Sequence, residues 1–396
     1  MPVHDPIVIA GCARTPIGGF QGDLKDLTAP ELGAIVIRAS VERAGISPDS
    51  IQEVLFGCVL PAGLGQAPAR QAALGAGLPQ STGATTINKV CGSGMKAVML
   101  AHDLLTVGSI DVAVGGGMES MTNAPYLLDR ARFGYRLGHG RALDHMFLDG
   151  LEDAYDKSRL MGAFAECCAQ SYAFSREAQD EYAIRSLTRA QKAIADGSFA
   201  AEIVPVMVKS GKIERTVEHD ELPLKAKPEK IPTLKPAFQE GGTVTAANSS
   251  SISDGAAALV LMRRSEAERR GAKPLATIAG HATHSQAPSL FTTAPVGAIR
   301  RLAERTGWRL EDVDLFEINE AFAVVAMAAM RDLNLPPEKV NVHGGACALG
   351  HPIGASGARI LVTLLSALKK YGLKRGVASL CIGGGEATAV AIERVE

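Results

Sequence analysis

The chain has 396 residues, of which 46% are hydrophobic and 21% are charged, a balance typical of a globular protein with a large core. Its 41 basic and 42 acidic residues leave a net charge of −1, so no overall field favours nucleic acid or an anionic membrane surface. Seven cysteines are scattered without CxxC spacing, which argues against both a disulfide framework and a structural zinc site.

The sequence also predicts a compartment. No apolar run approaches the roughly 18 residues needed to span a membrane. Residues 1–10 place His4 and Asp5 before one short apolar run, which is not typical of a secretory or transit peptide. We therefore expect a cytoplasmic protein with free thiols.

Strand-like and helical segments alternate from the start of the chain. Residues 7–11 read as a strand, residues 30–44 as a helix ended by Gly45, and residues 53–59 as a second strand. An apolar run at residues 95–107 has the length of a helix. Such alternation is typical of an α/β fold.

The far end of the chain repeats this order. In each half a small-residue loop precedes a helix, then a strand, then a triple glycine. The matching positions Phe56 and Phe316 are 260 residues apart, Gly94 and Gly357 are 263 apart, and the last glycines of the triplets, 117 and 385, are 268 apart. Three similar offsets in one order predict an internal duplication into two related α/β halves.

The extra residues lie in the first half, between about 119 and 247. Residues 126–145, rich in arginine and glycine, predict a projecting loop that contacts another subunit. Residues 177–195 predict an amphipathic helix. Residues 209–236 are lysine-rich and broken by prolines, and predict a loop whose lysines, Lys225 among them, either lie in solvent or bind a phosphate-rich ligand.

Reactive side chains fall on the equivalent loops of the two halves. Cys91 directly precedes the helix at 95–107, where the helix dipole favours a thiolate, although a buried structural cysteine fits the same pattern. His351 and Cys381 lie in the second half, and Asn319 follows a strand at 314–316. Two thiols and an imidazole permit a nucleophile, its base and a second proton carrier, and the amide adds a neutral donor.

Each of these residues also has a plainer interpretation. His351 precedes Pro352 and fits a turn, and Cys381 fits ordinary strand packing. Metal binding by Cys91, Cys347, His351 and Cys381 is disfavoured because no two of them form a close C-x2-4-C pair. Taken singly, none of these positions decides the function.

Taken together, four segments resemble the active-site motifs of the thiolase family, in the family's order and spacing. They are residues 88–94, 319–322, 350–357 and 381–385, and the similarity covers essentially the whole chain. The resemblance implies a thiolase-like fold, with two duplicated βαβ-rich halves in a five-layered αβαβα core. It divides the chain into an N-terminal half (1–118 with 248–273), an inserted loop domain (119–247) and a C-terminal half (274–396). It also implies a homodimer or homotetramer.

The same resemblance implies a role for each reactive residue. Cys91 takes an acyl group from an acyl-CoA, and His351 activates it. Asn319, through a water molecule, and His351 polarise the thioester of acetyl-CoA while Cys381 removes its α-proton. The backbone N–H groups of Cys91 and Gly383 form an oxyanion hole. No metal or redox cofactor is implied, because CoA thioesters are the substrates.

Ser250 matches the family's serine that hydrogen-bonds the pantetheine arm of CoA. The acyl and pantetheine pocket is matched by Met161, Phe238, Phe291, Ala321 and Phe322. Several positions depart from the family pattern. Leu160 stands where short-chain biosynthetic members often carry histidine, Ser249 and Ser251 stand where alanine and glycine are usual, residues 291–295 replace a more glycine-rich segment, and Glu386 follows the triple glycine. These departures leave acyl specificity open.

The sequence therefore predicts a reversible Claisen condensation of acetyl-CoA with an acyl-CoA, or thiolysis of a 3-ketoacyl-CoA. A ketosynthase-like enzyme acting on carrier-bound thioesters is an alternative, although ketosynthases usually pair the cysteine with two histidines. A non-catalytic acyl-CoA-binding protein is another, but it leaves Cys381 without a use.

Overall fold

The computed structural model describes residues 5–210 and 213–395, with the side chains of 210 and 213 left aside. The strands are β1 (Ile7–Arg14), β2 (Gly18–Gly19), β3 (Glu53–Gly57), β4 (Gly83–Ile87), β5 (Val112–Ser120), β6 (Tyr126–Leu128), β7 (Ala142–Asp144), β8 (Val206–Ser210), β9 (Ile213–Val217), β10 (Ser253–Arg263), β11 (Ala276–Ser285), β12 (Leu315–Ile318), β13 (Arg375–Ile382) and β14 (Glu386–Arg394). The helices are α1 (Ala29–Ala44), α2 (Pro68–Gly75), α3 (Ser93–Thr106), α4 (Met161–Ser171), α5 (Arg176–Ala195), α6 (Glu221–Lys225), α7 (Arg264–Arg270), α8 (Ala294–Thr306), α9 (Ala323–Leu333), α10 (Ala346–Leu349) and α11 (Ser356–Tyr371).

The strand order repeats between the two halves of the main sheet. From one edge to the other it runs β12-β13-β14-β11-β1-β10-β5-β3-β4, with β2 paired to β10. In the first half β3 lies parallel to β5 and β4. In the second half β12 lies parallel to β13. Val340 forms an isolated parallel bridge to Phe316 of β12, in the position that β4 occupies beside β3 in the first half. The predicted duplication is therefore confirmed by topology, with the halves joined where β1 meets β11.

The triple glycines, however, are not equivalent. Phe56 of β3 pairs with Gly116 of β5, whereas Phe316 of β12 pairs with Val377 of β13. The counterpart of Gly116 is thus Val377, and the offset of 268 residues was misleading. The first triplet stays in strand β5, but Gly384 and Gly385 have φ of 91° and 87° and form the turn from β13 to β14.

Helices and sheet stack in five layers, as predicted. The central helices α3 and α11 contact each other between the two halves of the sheet, and their apolar side chains share one core cluster with both halves. Helices α1 and α2 cover the outer face of the first half, and α8 and α9 cover the outer face of the second. The central helices approach closely because their first turns carry glycine: a Cβ on Gly357 would lie 2.5 Å from the backbone nitrogen of Met95.

The inserted segment is more regular than the sequence indicated. The predicted helix at 177–195 is confirmed as α5, and its N-cap Ser175 accepts a hydrogen bond from the N–H of Ala178. The loop predicted at 209–236 was wrong in part, because it contains β9 and α6, while residues 211–212 lie outside the described chain. A contact distant in sequence orders it: buried Asp220 accepts two hydrogen bonds from the Arg14 guanidinium, at 2.7 and 2.9 Å.

The domain boundaries 1–118 with 248–273, 119–247 and 274–396 stay a prediction. Within the described residues, no helix combines the length and the apolar character that crossing a bilayer requires. Residues 1–4, part of the segment interpreted above as neither a secretory nor a transit peptide, lie outside the described chain.

Candidate active site

The cysteine loop between β4 and α3 has a strained backbone held by its own motif. Val90 has φ of 46°, a left-handed conformation that is costly for a β-branched residue. Ser93 stabilises this backbone conformation, because its hydroxyl donates to the Val90 carbonyl (2.6 Å) and accepts from the Lys89 N–H (2.8 Å). The side chain of Asn88 accepts from the Val90 N–H at 2.9 Å. This arrangement fixes Cys91 immediately before the first turn of α3.

Cys91 faces a cavity of about 330 Å³ that is lined mostly by apolar side chains. Burial raises the pKa of its thiol to about 11. The backbone N–H groups of Gly383 and of Cys91 itself hydrogen-bond the sulfur and oppose this rise. Desolvation therefore outweighs the helix end, which by itself favours a thiolate, so Cys91 needs a base to ionise it. The two N–H groups are the pair that was predicted to form an oxyanion hole.

His351 is buried and lines the same cavity. Its Nδ1 lies 2.5 Å from the Ser356 hydroxyl, which itself donates to the Pro352 carbonyl at 3.0 Å. Because that hydroxyl proton is used, we assign the histidine proton to Nδ1, which leaves Nε2 as a free base. Burial, aided by the charge of Arg359, lowers the pKa of His351 to about 3. The resting pair is a neutral thiol and a neutral imidazole.

Cys381 ends β13 within an apolar cluster that includes Phe291 and Phe322. Burial raises the pKa of its thiol well above the usual range, and the charge of the Cys91 thiolate raises it further. Phe291, Ala321 and Phe322 of this cluster also line the cavity at Cys91, so Cys381 adjoins that cavity. A thiolate formed at Cys381 would be a strong base, as removal of a proton from carbon requires.

Asn319 follows β12 and is fixed by its N–H, which donates to the Ser379 carbonyl at 3.0 Å. Its side-chain oxygen and nitrogen are buried, and neither has a hydrogen-bonding partner within residues 5–210 and 213–395. Burying an amide in this way is costly. The arrangement is typical of a group that hydrogen-bonds a substrate or a bound water.

The neighbouring Glu320 holds this segment in place. Its buried carboxylate accepts hydrogen bonds from the Tyr182 hydroxyl (2.8 Å), the Ser186 hydroxyl (2.7 Å), the Asn341 amide (2.9 Å) and the Cys347 N–H (3.0 Å). Tyr182 and Ser186 lie on α5, so the inserted segment supports a catalytic loop of the second half. Glu320 and Ser356 lie within the motifs at 319–322 and 350–357, but no sequence pattern indicated their supporting roles, since their partners are distant or face the protein interior.

The predicted pocket residues come together. The walls of the cavity at Cys91 include Ser250, Met161, Phe238, Phe291, Ala321, Phe322 and the departing residue Leu160. Asn319 and Cys381 are not among the residues that line the cavity. Cys381 packs in the cluster with Phe291 and Phe322, and Asn319 precedes Ala321 by two residues. The sequence analysis missed further apolar lining, namely Phe147, Leu151, Ile252 and Ile353.

Lys225 lies outside this cavity. Its Nζ is ion-paired with Glu221, and the side chain is largely exposed. With Lys227 and Lys230 it lines a neighbouring cavity of about 390 Å³. Ala246 and Ser251 line both cavities, so the two adjoin.

Two contacts join the catalytic loops of the two halves. Lys89, in the cysteine loop, is ion-paired with Glu386, which begins β14 beside the second triple glycine. Buried Glu119 accepts from the N–H groups of Val59 (2.9 Å), Leu60 (3.1 Å) and Gly354 (2.9 Å), the last in the histidine loop. Burial raises the pKa of Glu119 to about 7, although these hydrogen bonds oppose the shift.

Two duplicated α/β halves place a cysteine and a histidine on one apolar cavity, with a second thiol in the apolar cluster that forms part of its wall, an arrangement typical of enzymes that use a cysteine nucleophile. Comparisons with known proteins specify the family. Residues 7–265 match the model described as "Thiolase, N-terminal domain", and residues 272–394 match "Thiolase, C-terminal domain". The chain belongs to the thiolase family.

Individual relatives agree over their full length. Acetyl-CoA acetyltransferase 2 of Arabidopsis thaliana is 52% identical over 390 residues, covering 98% of this chain and 96% of that protein. Acetyl-CoA acetyltransferase of Cupriavidus necator is 49% identical, covering 98% and 99%. The crystal structure of the Bacillus anthracis acetyl-CoA acetyltransferase superposes with a TM-score of 0.97 at 42% identity, covering all of both chains.

Proposed function

We propose that this chain catalyses the reversible Claisen condensation of acetyl-CoA with an acyl-CoA, and the reverse thiolysis of 3-ketoacyl-CoA. Its simplest reaction converts two acetyl-CoA into acetoacetyl-CoA and CoA. The observation that carries the proposal is the geometry at the cavity, which both Cys91 and His351 line, with His351 Nδ1 hydrogen-bonded to Ser356 and Nε2 left free. The names of the relatives, acetyl-CoA acetyltransferase, support the same substrates.

In the first half-reaction Cys91 attacks the thioester carbonyl while His351 Nε2 takes its proton. The negative charge on the carbonyl oxygen is stabilised by the N–H groups of Cys91 and Gly383. The carbon–sulfur bond to CoA then breaks, and Cys381 protonates the leaving thiolate. The acyl group now sits on Cys91, with a positive charge on His351 and a negative charge on Cys381.

In the second half-reaction the Cys381 thiolate removes the α-proton of a bound acetyl-CoA. Charged His351, and Asn319 through a water molecule, stabilise the enolate oxygen. The enolate carbon attacks the acyl carbonyl, a carbon–carbon bond forms, and the Cys91 thiolate departs. It recovers its proton from His351, so all three groups return to their neutral resting forms.

The test is thiolysis of acetoacetyl-CoA and longer 3-ketoacyl-CoA by the purified protein with added CoA, with mass spectrometry of the protein after mixing with acetyl-CoA. We expect turnover and an acetyl adduct that Cys91→Ala abolishes. Activity restricted to carrier-bound thioesters would favour a ketosynthase, and tight binding without adduct would favour a binding protein. Comparing thiolysis rates across 3-ketoacyl-CoA chain lengths measures the acyl specificity, which the departure at Leu160 does not decide.

We also propose that the two adjoining cavities together hold CoA. Ser250 lines the cavity at Cys91, where the pantetheine arm must enter. Lys225, Lys227 and Lys230 line the second cavity and supply positive charge for the phosphates. Replacing Lys230 with Ala should raise the KM for CoA and leave kcat unchanged.

We propose that the protein works as a homodimer or homotetramer. Within the part of the chain that the structure describes, strand β4 is at the edge of the sheet and pairs only with β3, so its other side is open to a second copy. The hairpin formed by β6 and β7 exposes Phe133 and Leu137. Both features are typical of subunit contacts.

We further propose a cytoplasmic role in fatty acid metabolism that needs no cofactor besides the CoA thioesters. All seven cysteines are free, which fits a reducing compartment. The proposed acid–base chemistry balances its protons among Cys91, His351 and Cys381, so it calls for no further group.

A further inference from the structure

Two histidines and an aspartate converge at a place the proposed reaction does not use. His102 and Asp103 lie on α3, and His281 lies on β11. Asp103 Oδ1 is 2.8 Å from His281 Nε2 and 3.2 Å from His102 Nδ1. One ligand atom from each of the three lies within 4.8 Å of the others, and none of the three lines the catalytic cavity.

A β-bulge aims His281 at this cluster. Ile278 of β11 packs with the central helices, and strict alternation would turn residue 281 to the opposite face. The pairing of β11 with β14 shifts register between Ile278 and Gly280. That extra residue restores His281 to the side of α3, while Ala282 packs with the outer cluster that covers the other face.

The geometry suits a small transition-metal ion. In a tetrahedral zinc site with bonds of about 2.0–2.1 Å, ligand atoms lie roughly 3.3 Å apart, close to the 2.8 and 3.2 Å found here. Nδ1 of His102 and Nε2 of His281 both face the Asp103 carboxylate, and the two rings meet edge-to-face at 89° instead of stacking. Asp103 is half-exposed, which leaves a side open for water as a further ligand.

We propose that His102, Asp103 and His281 bind a divalent transition-metal ion, with Zn²⁺ as the best-suited ion. Two imidazole nitrogens and one carboxylate oxygen are ligands that zinc accepts. The ion would link α3, in the first half, to β11, in the second half, and so stabilise the folded chain. It would have no part in acyl transfer, because its ligands are remote from the cavity at Cys91.

The test is Zn²⁺ binding by the full chain after chelator treatment and alkylation of accessible thiols, which keeps Cys91 and exposed Cys167 from binding the ion. Calorimetry should show one ion per chain. His281→Ala and Asp103→Asn should each weaken binding at least about tenfold. The matched control His219→Ala removes an exposed histidine outside the cluster and should bind as the wild type does.

Thermal unfolding gives a second readout. Zinc should raise the Tm of the wild type and of His219→Ala, and should not raise that of His281→Ala or Asp103→Asn. Without alkylation and without zinc, all variants should retain thiolysis activity, which shows that they fold. Equal zinc affinity in His281→Ala and His219→Ala would overturn the proposal, and so would the absence of saturable binding to the wild type.

Discussion

At the scale of single residues, the site depends on groups that keep the catalytic side chains neutral and oriented. Ser356 is the clearest case, because its hydroxyl determines which nitrogen of His351 carries the proton. A histidine with the other tautomer would present N–H to Cys91 and could not act as its base.

Ser356→Ala should therefore lower kcat for thiolysis. We expect a loss of roughly tenfold or more, part of the 10²–10⁴ that a positioned general base supplies. Ser356→Thr keeps the hydroxyl and should recover much of the rate. The control is Ser366→Ala, on the same helix but lining a different cavity. Wild-type rates in Ser356→Ala would show that the hydrogen bond does not position His351.

Glu119 should give the reactivity of Cys91 an unusual pH dependence. The Glu119 pKa is about 7, and its negative charge raises the Cys91 pKa. As pH rises through 7, Glu119 ionises and opposes ionisation of Cys91. The rate of alkylation by iodoacetamide should therefore rise by less than tenfold per pH unit around pH 7.

Glu119→Gln removes that charge, so the rate should return to about tenfold per pH unit, as expected for a thiol titrating alone below its pKa. It should also be faster than the wild type at pH 8. Exposed Glu311→Gln is the control and should behave as the wild type does. Identical profiles in the two variants would contradict the coupling. The stability of Glu119→Gln should be measured by chemical denaturation alongside these rates. Gln places an amide NH₂ against backbone N–H donors, which lowers the free energy of unfolding.

The residues proposed to do the chemistry were visible in the sequence, whereas the residues that support them were not. Cys91, His351 and Cys381 stand in short motifs whose residue types are unusual together. Ser356 stands in the same motif as His351, but it reads as one more small residue before a helix. The raised pKa of Cys91 could not be predicted, since a sequence shows the helix end but not the extent of desolvation.

At the scale of elements, periodicity and glycine stops located helices α1, α3 and α5 to within one or two residues. Helix α1 was predicted at 30–44 and lies at Ala29–Ala44, with Gly45 in the left-handed conformation at φ of 67°. Segments ordered by distant contacts were missed. Helix α6 forms where Asp220 meets Arg14, a pairing that no local pattern reveals.

Helix α4 makes one wall of the pocket through a close contact that can be tested. The ring of Phe238 lies against Gly162, and a Cβ there would come within 2.3 Å of ring atoms. Gly162→Ala should push the ring into the cavity and weaken the binding of long acyl chains by about 1–3 kcal/mol. The expected result is a larger loss of kcat/KM for long 3-ketoacyl-CoA than for acetoacetyl-CoA.

The double variant Gly162→Ala, Phe238→Leu provides the control, because the smaller side chain relieves the clash. It should recover activity on the longer substrates. Equal losses for short and long substrates in the single variant would indicate that the ring moves elsewhere.

At the scale of the whole molecule, the duplication is what assembles the site. Cys91 comes from the first half and His351 from the second, and both line one cavity beside the closely packed first turns of α3 and α11. The main sheet by itself joins the halves weakly. In the described part of the chain, β1 and β11 are linked by two residue pairs, Val8 with Thr277 and Ile9 with Ala276. The central helices and their glycines therefore carry most of the alignment between nucleophile and base.

Assembly beyond one chain should depend on the β6–β7 hairpin. Phe133 and Leu137 are 90% and 86% exposed there, which is costly unless another subunit covers them. Phe133→Asp with Leu137→Asp should halve the mass of a tetramer in light scattering and leave kcat per chain unchanged, since neither side chain lines the catalytic cavity. Val107→Asp, at the exposed end of α3, is the matched control and should keep the wild-type mass. An unchanged mass in the double variant would leave the edge of β4 as the remaining candidate contact and would count against the hairpin.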